Sequence, residues 1–337
     1  MIAGPRVALL ATPPGGSHSS LYLVTPGDTG ATLAPAATLT HLEDAAVRGA
    51  TVPGSDAVAV VADTLAARDL SFAASLFRVT PHQPPELVCD RLVHSSRPLV
   101  TASGRVFVSR GVAGPVTDKG YRVDALTIDE IDLATGAART ILSHAGFLTF
   151  LAGAHDREIL VYRVSAHSAD LVGVDPDTGA TRVITELLPF ARDFSVDPAR
   201  GTIVFLERDA HDSRAWTIDR IDLANGARTR LHESASMSLA PFAWPGGGVA
   251  WSVEGRGGLA LLGKGRPLSP APLGAGVDLV RALSTDGAWA ALLHTVAGKL
   301  PQPFAVDTRT GQARALPAPG GARIEIAGFL GAAGGAK

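Results

Sequence analysis

One short phrase returns four times along this chain. It has the form Asp-x-x-Thr/Asn-Gly between alternating apolar and polar residues, and its copies are DLATG at 132–136, DPDTG at 175–179, DLANG at 222–226 and DTRTG at 307–311. Alternation with a period of two predicts strands, the Asp can accept a hydrogen bond from its own turn, and the Gly supplies the positive φ of a tight hairpin. The phrase therefore predicts a β-hairpin that recurs about every 40–50 residues, with one double-length gap.

A second set of turns recurs at the same spacing. Each of them is followed by an apolar strand, and they lie at 51–56, 101–105, 152–156, 197–201, 244–248 and 284–288. The order inside one unit is then strand, turn, strand, loop, strand, hairpin turn, strand, which is typical of a four-stranded blade of a β-propeller. The double-length gap holds a unit whose hairpin, LALLGKGRPLS at 259–269, lacks the Asp.

The two ends of the chain predict how the units join. Residues 6–42 supply three strands, and RIEIAGFLG at 323–331 has the apolar character of an innermost strand. Placing it in the first blade leaves no unpaired sheet edge. We predict an all-β fold, a single seven-bladed β-propeller domain of four-stranded antiparallel blades over residues 1–337, closed by the C-terminal strand joining blade one. The predicted blades are 1–44 plus 321–334, 45–93, 94–145, 146–189, 190–235, 236–273 and 274–320.

On these hairpins and on the blade order, the chain resembles the TolB-like and YVTN-type seven-bladed propellers of the wider WD40-like group. The resemblance covers nearly the whole chain and implies a fold. It leaves the function open, because such propellers serve as scaffolds, lyases, lactonases and accessory domains of peptidases.

Composition narrows the possible partners. With 46% hydrophobic residues the chain can bury a large core, and a formal net charge of −2 argues against a nucleic-acid surface. No apolar run reaches the ~18 residues of a membrane helix, and the bias toward Arg is typical of a high-GC bacterial genome. We expect a monomer of the cytoplasm or, if an export signal has been removed, of the periplasm or the extracellular space.

Catalytic motifs of known spacing are absent from the sequence. It contains no G-x-S-x-G elbow, no H-E-x-x-H, no C-x-x-C and no phosphate-binding Walker loop. The only cysteine, Cys89, lies in an apolar outer strand, which favours a buried structural thiol over a nucleophile. The longest loop predicted on the blade-crossing face, at 109–125, contains Gly and Pro and suggests a flexible flap or a partner contact.

Histidines cluster on one predicted face of the propeller, where the chain crosses between blades and joins second to third strands. Four of the ten fall at blade crossings: His41, His94, His144 and His232. Four more fall in or beside second-to-third-strand loops: His18, His167, His211 and His294. Only His82 and His155 belong to the opposite face. Imidazole binds transition metals and titrates near neutrality, so the crossing histidines are candidate metal ligands or acid/base groups, although single histidines are more often structural.

Arginines show a related pattern near the starts of inner strands. Arg48, Arg97, Arg192 and Arg281 each precede a first-turn Gly by six to nine residues. They could line the channel as a partial cationic ring for an anionic ligand, or pair with neighbours such as Glu43, Asp44, Asp193 and Asp278. The loop at 206–216 adds Glu207, Asp209, His211 and Asp212, which have ligand chemistry but also suit a solvated loop.

Three functions remain open on the sequence, the third being a structural accessory domain of a larger assembly. The first is a binding scaffold that takes a protein partner or a small anionic ligand at the channel mouth, with His41, His94, His144, His232, His211 and the four arginines as binding residues. The second is an enzyme of lyase, lactonase or hydrolase type, in which the histidines hold a divalent metal or act as acid and base.

Overall fold

The fold is seen in a computed structural model that describes residues 5–28, 33–42, 47–64, 74–92, 97–117, 120–145, 148–165, 168–208, 214–237, 239–253, 258–263 and 275–331. For residues 112–117, 120–125, 144–145 and 148 it describes the backbone alone. Over these residues the chain is all-β, with a single 3₁₀ turn at Pro245–Gly247 and no α-helix. No helix in the described part of the chain is long and apolar enough to cross a membrane.

The strands form antiparallel units, which we number along the chain. Unit 1 contains β1 (Arg6–Thr12), β2 (His18–Val24), β3 (Ala37–Thr40) and the last strand of the chain, β27 (Arg323–Leu330). Unit 2 contains β4 (Arg48–Thr51), β5 (Val58–Asp63), β6 (Ala74–Val79) and β7 (Glu86–Leu92). Unit 3 contains β8 (Leu99–Val100), β9 (Val106–Thr117), β10 (Gly120–Ile131) and β11 (Ala138–Ala145). One pair, Leu92 with Arg110, joins units 2 and 3 into one sheet.

The second half of the chain repeats the pattern. Unit 4 contains β12 (Leu148–His155), β13 (Glu158–Val164), β14 (Ala169–Val174) and β15 (Thr181–Leu187). Unit 5 contains β16 (Arg192–Asp197), β17 (Thr202–Arg208), β18 (Trp216–Asp222) and β19 (Arg228–Ser234). Unit 6 shows β20 (Phe242–Trp244), β21 (Gly248–Ser252) and β22 (Leu259–Leu262), and its predicted fourth strand lies outside the described residues. Unit 7 contains β23 (Val277–Leu283), β24 (Trp289–Thr295), β25 (Gln302–Asp307) and β26 (Ala313–Ala315).

The hydrophobic core lies between neighbouring units. Second strands such as β5 are buried along their whole length, because both of their faces pack against the adjacent units. The apolar clusters pair unit 1 with 2, 2 with 3, 3 with 4, 4 with 5, 5 with 6, 6 with 7, and 7 with 1. In the last of these, Ala291 and Leu293 of unit 7 pack against Leu9 and Ile326 of unit 1.

The C-terminal strand pairs where the sequence predicts. β27 runs antiparallel to β1 from Thr12↔Arg323 to Arg6↔Leu330, with a bulge near Ala8. It also contacts β4 of unit 2 and β23 of unit 7. The last strand of the chain therefore occupies the first-strand position of unit 1.

The four predicted hairpin turns are confirmed. Gly136, Gly179, Gly226 and Gly311 all have φ of 72° or 73°. In each turn the carboxylate of the repeat Asp accepts a hydrogen bond from the backbone N–H two residues later, at 2.7–2.9 Å. Hydrogen bonds from the turn backbone lower the pKa of Asp132 and Asp175. A short polar sequence therefore fixes each turn locally.

Some of the hairpins also connect neighbouring units. Arg139 and Arg182 stand seven residues after a repeat Asp, and each donates a hydrogen bond to a backbone carbonyl in the hairpin of the following unit. The acceptors are Pro176 and Leu223, at 2.5 and 3.0 Å. The repeat thus encodes contacts between units as well as turns.

The segment predicted as a loop at 109–125 forms strands, and its predicted role as a flexible flap or partner contact stays a prediction. The backbone there forms the long hairpin of β9 and β10, whose pairing continues to Thr117↔Gly120 across two register shifts. Gly114 and Pro115 fall within one of these shifts, where an unpaired residue is tolerated. The Gly and Pro content therefore marks bulges within strands.

Candidate functional site

One end of the units gathers the residues that the sequence marks as functional. Because the strands pair antiparallel, the start of each first strand lies beside the end of the second and, through it, the start of the third. In unit 5 this places Arg192 opposite Leu206, and Trp216 opposite Arg208. The chain also crosses from unit to unit at this end, which we call the crossing end.

An aromatic cavity opens at the crossing end of units 4 and 5. We call it the aromatic pocket; its volume is about 770 Å³, within the range of small-molecule sites. Its walls come from β12, β13 and β16, from the crossings on either side of unit 5, and from the start of β18. The lining residues are Phe150, Leu151, Tyr162, Val164, Pro189, Phe190, Ala191, Arg192, Asp193, Phe194, Trp216 and Met237.

The pocket leaves large apolar side chains in contact with solvent. Phe150, Phe190 and Met237 are 42%, 58% and 52% exposed. The ring of Phe150 also begins a row with the rings of Tyr162 and Phe194. Successive centroids in this row are 6.1 and 5.3 Å apart. Concentrated apolar exposure beside a concave, ordered wall is typical of a binding surface.

Two buried polar side chains fix one wall of the pocket. The Tyr162 hydroxyl donates to the carbonyl of Leu188 at 2.7 Å and accepts from the N–H groups of Phe190 and Ala191 at 3.1 and 3.2 Å. The fully buried Glu207 accepts from the N–H of Leu188 at 2.6 Å. Burial raises the pKa of Tyr162, so its donor bond persists through the neutral range. The crossing at 188–191 is thereby held in place before any ligand arrives.

Replacing Tyr162 by Phe tests this arrangement. The substitution keeps the ring but removes the acceptor of the Ala191 N–H and the donor to the Leu188 carbonyl, while the Phe190 N–H keeps that carbonyl at 3.0 Å. We therefore expect a loss of about 2 kcal/mol in the free energy of unfolding. Urea denaturation measures this loss. Tyr22→Phe is the control, because the Tyr22 hydroxyl has no hydrogen bond among the described residues. Equal effects of the two substitutions would show that the Tyr162 hydroxyl does not hold the crossing.

Two of the four predicted arginines meet at a single carboxylate, and a third lies near it. Glu325, 7% exposed on β27, forms ion pairs with Arg97 and, at 3.7 Å, with Arg48. Arg281 on β23 lies within electrostatic reach of Glu325 and of both arginines. We call these four residues the arginine cluster. Its members come from units 1, 2, 3 and 7, each from the beginning or middle of a first strand or just before one.

The fourth arginine belongs to the aromatic pocket. Arg192 lies over the ring of Trp216 at 5.2 Å and donates to the carbonyl of Met237. It also pairs with Asp193 at 3.4 Å, the partner that the sequence suggests. The register of β16 shifts between Arg192 and Ser195, and Asp193 has a left-handed φ of 54°, a conformation found disproportionately at functional sites. Asp193 lies within electrostatic reach of Arg281, so the pocket adjoins the arginine cluster.

The crossing histidines are not brought together in the part of the chain with described side chains. His41 bonds Thr40 at 3.0 Å and lines a second cavity with Phe77 and Leu87 of unit 2. His232 stacks on Trp251 at 5.1 Å. His94, His211 and the side chain of His144 lie outside the described residues, and no group of three metal-ligating side chains occurs within them. A metal at these positions stays a prediction.

His294, another histidine of the crossing end, is buried in a pair with Asp278. His294, 3% exposed, bonds the buried Asp278 at 2.7 Å, and Asp278 also accepts from the N–H of Gly258. This pair links units 6 and 7 inside the protein.

Of the charged loop at 206–216, Glu207 is a buried partner of Arg228, while 209–213 lie outside the described residues. Cys89 is half-buried and not fully buried as the sequence predicts; desolvation still raises its pKa to about 11, which keeps the thiol protonated at neutral pH.

Comparison with solved structures identifies the fold. A TolB structure from Acinetobacter baumannii superposes with a TM-score of 0.56 at 12% identity, covering 96% of this chain and 67% of that one. The chain has a β-propeller fold. A prolyl endopeptidase structure gives a TM-score of 0.59 at 15% identity over 95% of this chain. A puromycin-hydrolysing peptidase of Mycobacterium tuberculosis gives 0.53 at 15% identity over 91%.

The two peptidase chains are longer than this one. The chain spans about half of each, 50% of the prolyl endopeptidase and 53% of the puromycin-hydrolysing peptidase. No protein family and no curated protein matches the sequence. At these identities the likeness shows the propeller fold and leaves the function to the site.

Proposed function

We propose that the chain is a ligand-binding β-propeller scaffold whose aromatic pocket recognises the apolar body of a small molecule. The pocket itself carries this proposal. Its volume suits a small ligand, three of its large apolar side chains are already exposed, and Tyr162 and Glu207 fix one wall in advance. Preorganisation of this kind lowers the entropic cost of binding. An apolar side chain of a partner protein would present the same chemistry.

The proposal includes a single domain of seven blades, closed by β27 within blade one, with the blade boundaries given above. Support comes from the seven apolar clusters, which link each unit to the next and unit 7 to unit 1. Further support comes from first strands that contact one another, such as β27 with β4 and β12 with β16. In such a ring the crossing ends of all blades surround one channel mouth.

The binding function is favoured over the enzymatic one by the positions of the polar groups. Of the crossing-end histidines with described side chains, His41 and His232 contact residues of different units, and His294 is buried against Asp278. General acid–base catalysis needs such a group within reach of the substrate. The aromatic pocket instead offers apolar surface, a cation over an aromatic ring and fixed backbone, which suit recognition.

A neutral aromatic probe tests the proposal. We expect N-phenyl-1-naphthylamine, followed by its fluorescence, to bind the folded protein with a stoichiometry of one. Phe190→Ser removes an exposed wall of the pocket and the ring beneath Arg208. It should weaken probe binding at least fivefold while changing stability by only about 0.5 kcal/mol, because Phe190 is largely exposed.

Val183→Ser is the matched control. Val183 is as exposed as Phe190, at 58%, but lies on β15 outside the pocket. Its substitution should leave the probe affinity unchanged. Absence of probe binding, or equal weakening by the two substitutions, would contradict an apolar recognition site in the aromatic pocket.

A further inference from the structure

Arg281 has an unusual environment within the arginine cluster. Its Nε is buried and has no hydrogen-bond partner, and its guanidinium forms no ion pair among the described residues. The register of β23 shifts between Val280 and Ala282, so Arg281 is the extra residue of a bulge. Bulges redirect side chains and are frequent beside functional sites. A local backbone irregularity therefore accompanies the unpaired cation.

The carboxylates around Arg281 do not neutralise the cluster. Glu325 is already engaged by Arg97 and Arg48, and Asp193 is engaged by Arg192. Among the residues that the structure describes, four guanidinium groups thus share two carboxylates. Burial lowers the pKa of Arg281, and Arg97 and Arg48 lower it further against the opposing effects of Glu325 and Asp193. Arginine nevertheless remains charged at neutral pH, so an excess of positive charge persists.

A buried Nε–H of a charged guanidinium that has no acceptor is costly. Removing a cation from water is compensated only by an opposite charge or by hydrogen-bond acceptors. The planar fork of arginine matches the two oxygens of a carboxylate or of a phosphate group. The missing partner is therefore expected to be an anion with at least two oxygens.

We propose that Arg281 and Arg97 form a binding site for an oxyanion, next to Glu325 and at the channel side of the aromatic pocket. The anion would neutralise the excess charge and supply the acceptor that Arg281 lacks. Glu325 opposes it, because its carboxylate already holds Arg97 and repels a second anion. This oxyanion site does not depend on the proposed function. If both sites bind one ligand, that ligand has an apolar body and an acidic group.

The test uses simple anions. The melting temperature of the full chain is measured against increasing sodium acetate or sodium phosphate, with sodium chloride as reference at equal ionic strength. We expect a saturable rise with acetate, phosphate or both, and the stronger of the two identifies a carboxylate or a phosphate as the natural group. General salt effects do not saturate at a site and appear in every variant.

Variants assign the effect to the cluster. Arg281→Gln should weaken oxyanion binding at least tenfold, whereas Glu325→Gln should strengthen it severalfold. Arg97→Gln provides a second loss-of-binding variant if Arg281→Gln does not fold. Arg309→Gln is the control, because it removes the same charge from an exposed side chain.

Two results would overturn the site: no saturable rise above chloride in the unaltered protein, or the same rise in Arg281→Gln, Arg97→Gln and Arg309→Gln. The naphthylamine probe separates this failure from that of the proposed function. Its affinity should be unchanged in Arg281→Gln, since the probe carries no charge and Arg281 does not line the pocket.

Discussion

Deletion of residues 323–337 is expected to produce an aggregated protein, or one that melts at least 15 °C lower. The deletion removes β27, whose side chains Ile324, Ile326 and Leu330 are at most 4% exposed. Burial of three such side chains contributes about 5–9 kcal/mol, which is comparable to the total stability of a typical domain. The deletion also leaves β1 with an unpaired edge, and exposed edges promote aggregation.

The control is a chain that ends at Gly331, which keeps β27 complete. It should melt like the full chain, followed by circular dichroism, and elute like the full chain in gel filtration. A chain without residues 323–337 that does the same would contradict the role of β27 as the closing strand.

Gly226→Ala is expected to lower the free energy of unfolding by about 3 kcal/mol. Two costs add at this turn. The positive φ of 72° disfavours any side chain. A methyl group at Gly226 would also lie well inside van der Waals contact with the carbonyl oxygen of Ile184, on the outer strand of unit 4. Backbone atoms of a neighbouring unit cannot move aside cheaply, so the substitution pushes two units apart.

Gly179→Ala separates the two costs. Gly179 has the same φ, but nothing lies within 4 Å of an added methyl group. Its substitution should therefore cost only about 1 kcal/mol. Chemical denaturation of both variants gives the comparison, and equal losses would show that the hairpin of unit 5 does not rest on unit 4.

The fold was predictable to the extent that short-range chemistry determines it. The Asp and Gly of each repeat create a turn through their own hydrogen bond and φ, so the hairpins could be located without tertiary information. The hairpin at 109–125 was missed because Gly114 and Pro115 signal a loop locally. Pairing between β9 and β10 accommodates them through register shifts, which depend on the partner strand.

The candidate site was predictable only in part. Position at the start of first strands marks Arg48, Arg97 and Arg281; Glu325 pairs with the first two and lies within electrostatic reach of the third. The same rule does not separate Arg192 from these three arginines. Arg192 lies over Trp216 in the aromatic pocket, next to the irregular backbone at Asp193. The role of Glu325 was also missed, since a lone Glu on an apolar strand carries no motif.

The aromatic pocket had no signal in the sequence analysis. Aromatic residues make up only 5% of the chain, and those of the pocket come from separate stretches between residues 150 and 216. Folding places β12, β13, β16 and β18 together at the crossing end. The signal that could have located these aromatic residues is an apolar residue at the end of a strand, next to a crossing between units.

Hydrogen exchange in the presence of N-phenyl-1-naphthylamine tests the central claim most directly, because it locates the binding surface without altering the protein. At saturating probe, we expect slower exchange of the backbone amides of residues 190–194, which line the aromatic pocket. The outer hairpin at 222–227 should exchange at an unchanged rate. Protection at that hairpin, or binding of the probe without protection at 190–194, would contradict the assignment of the aromatic pocket as the recognition site.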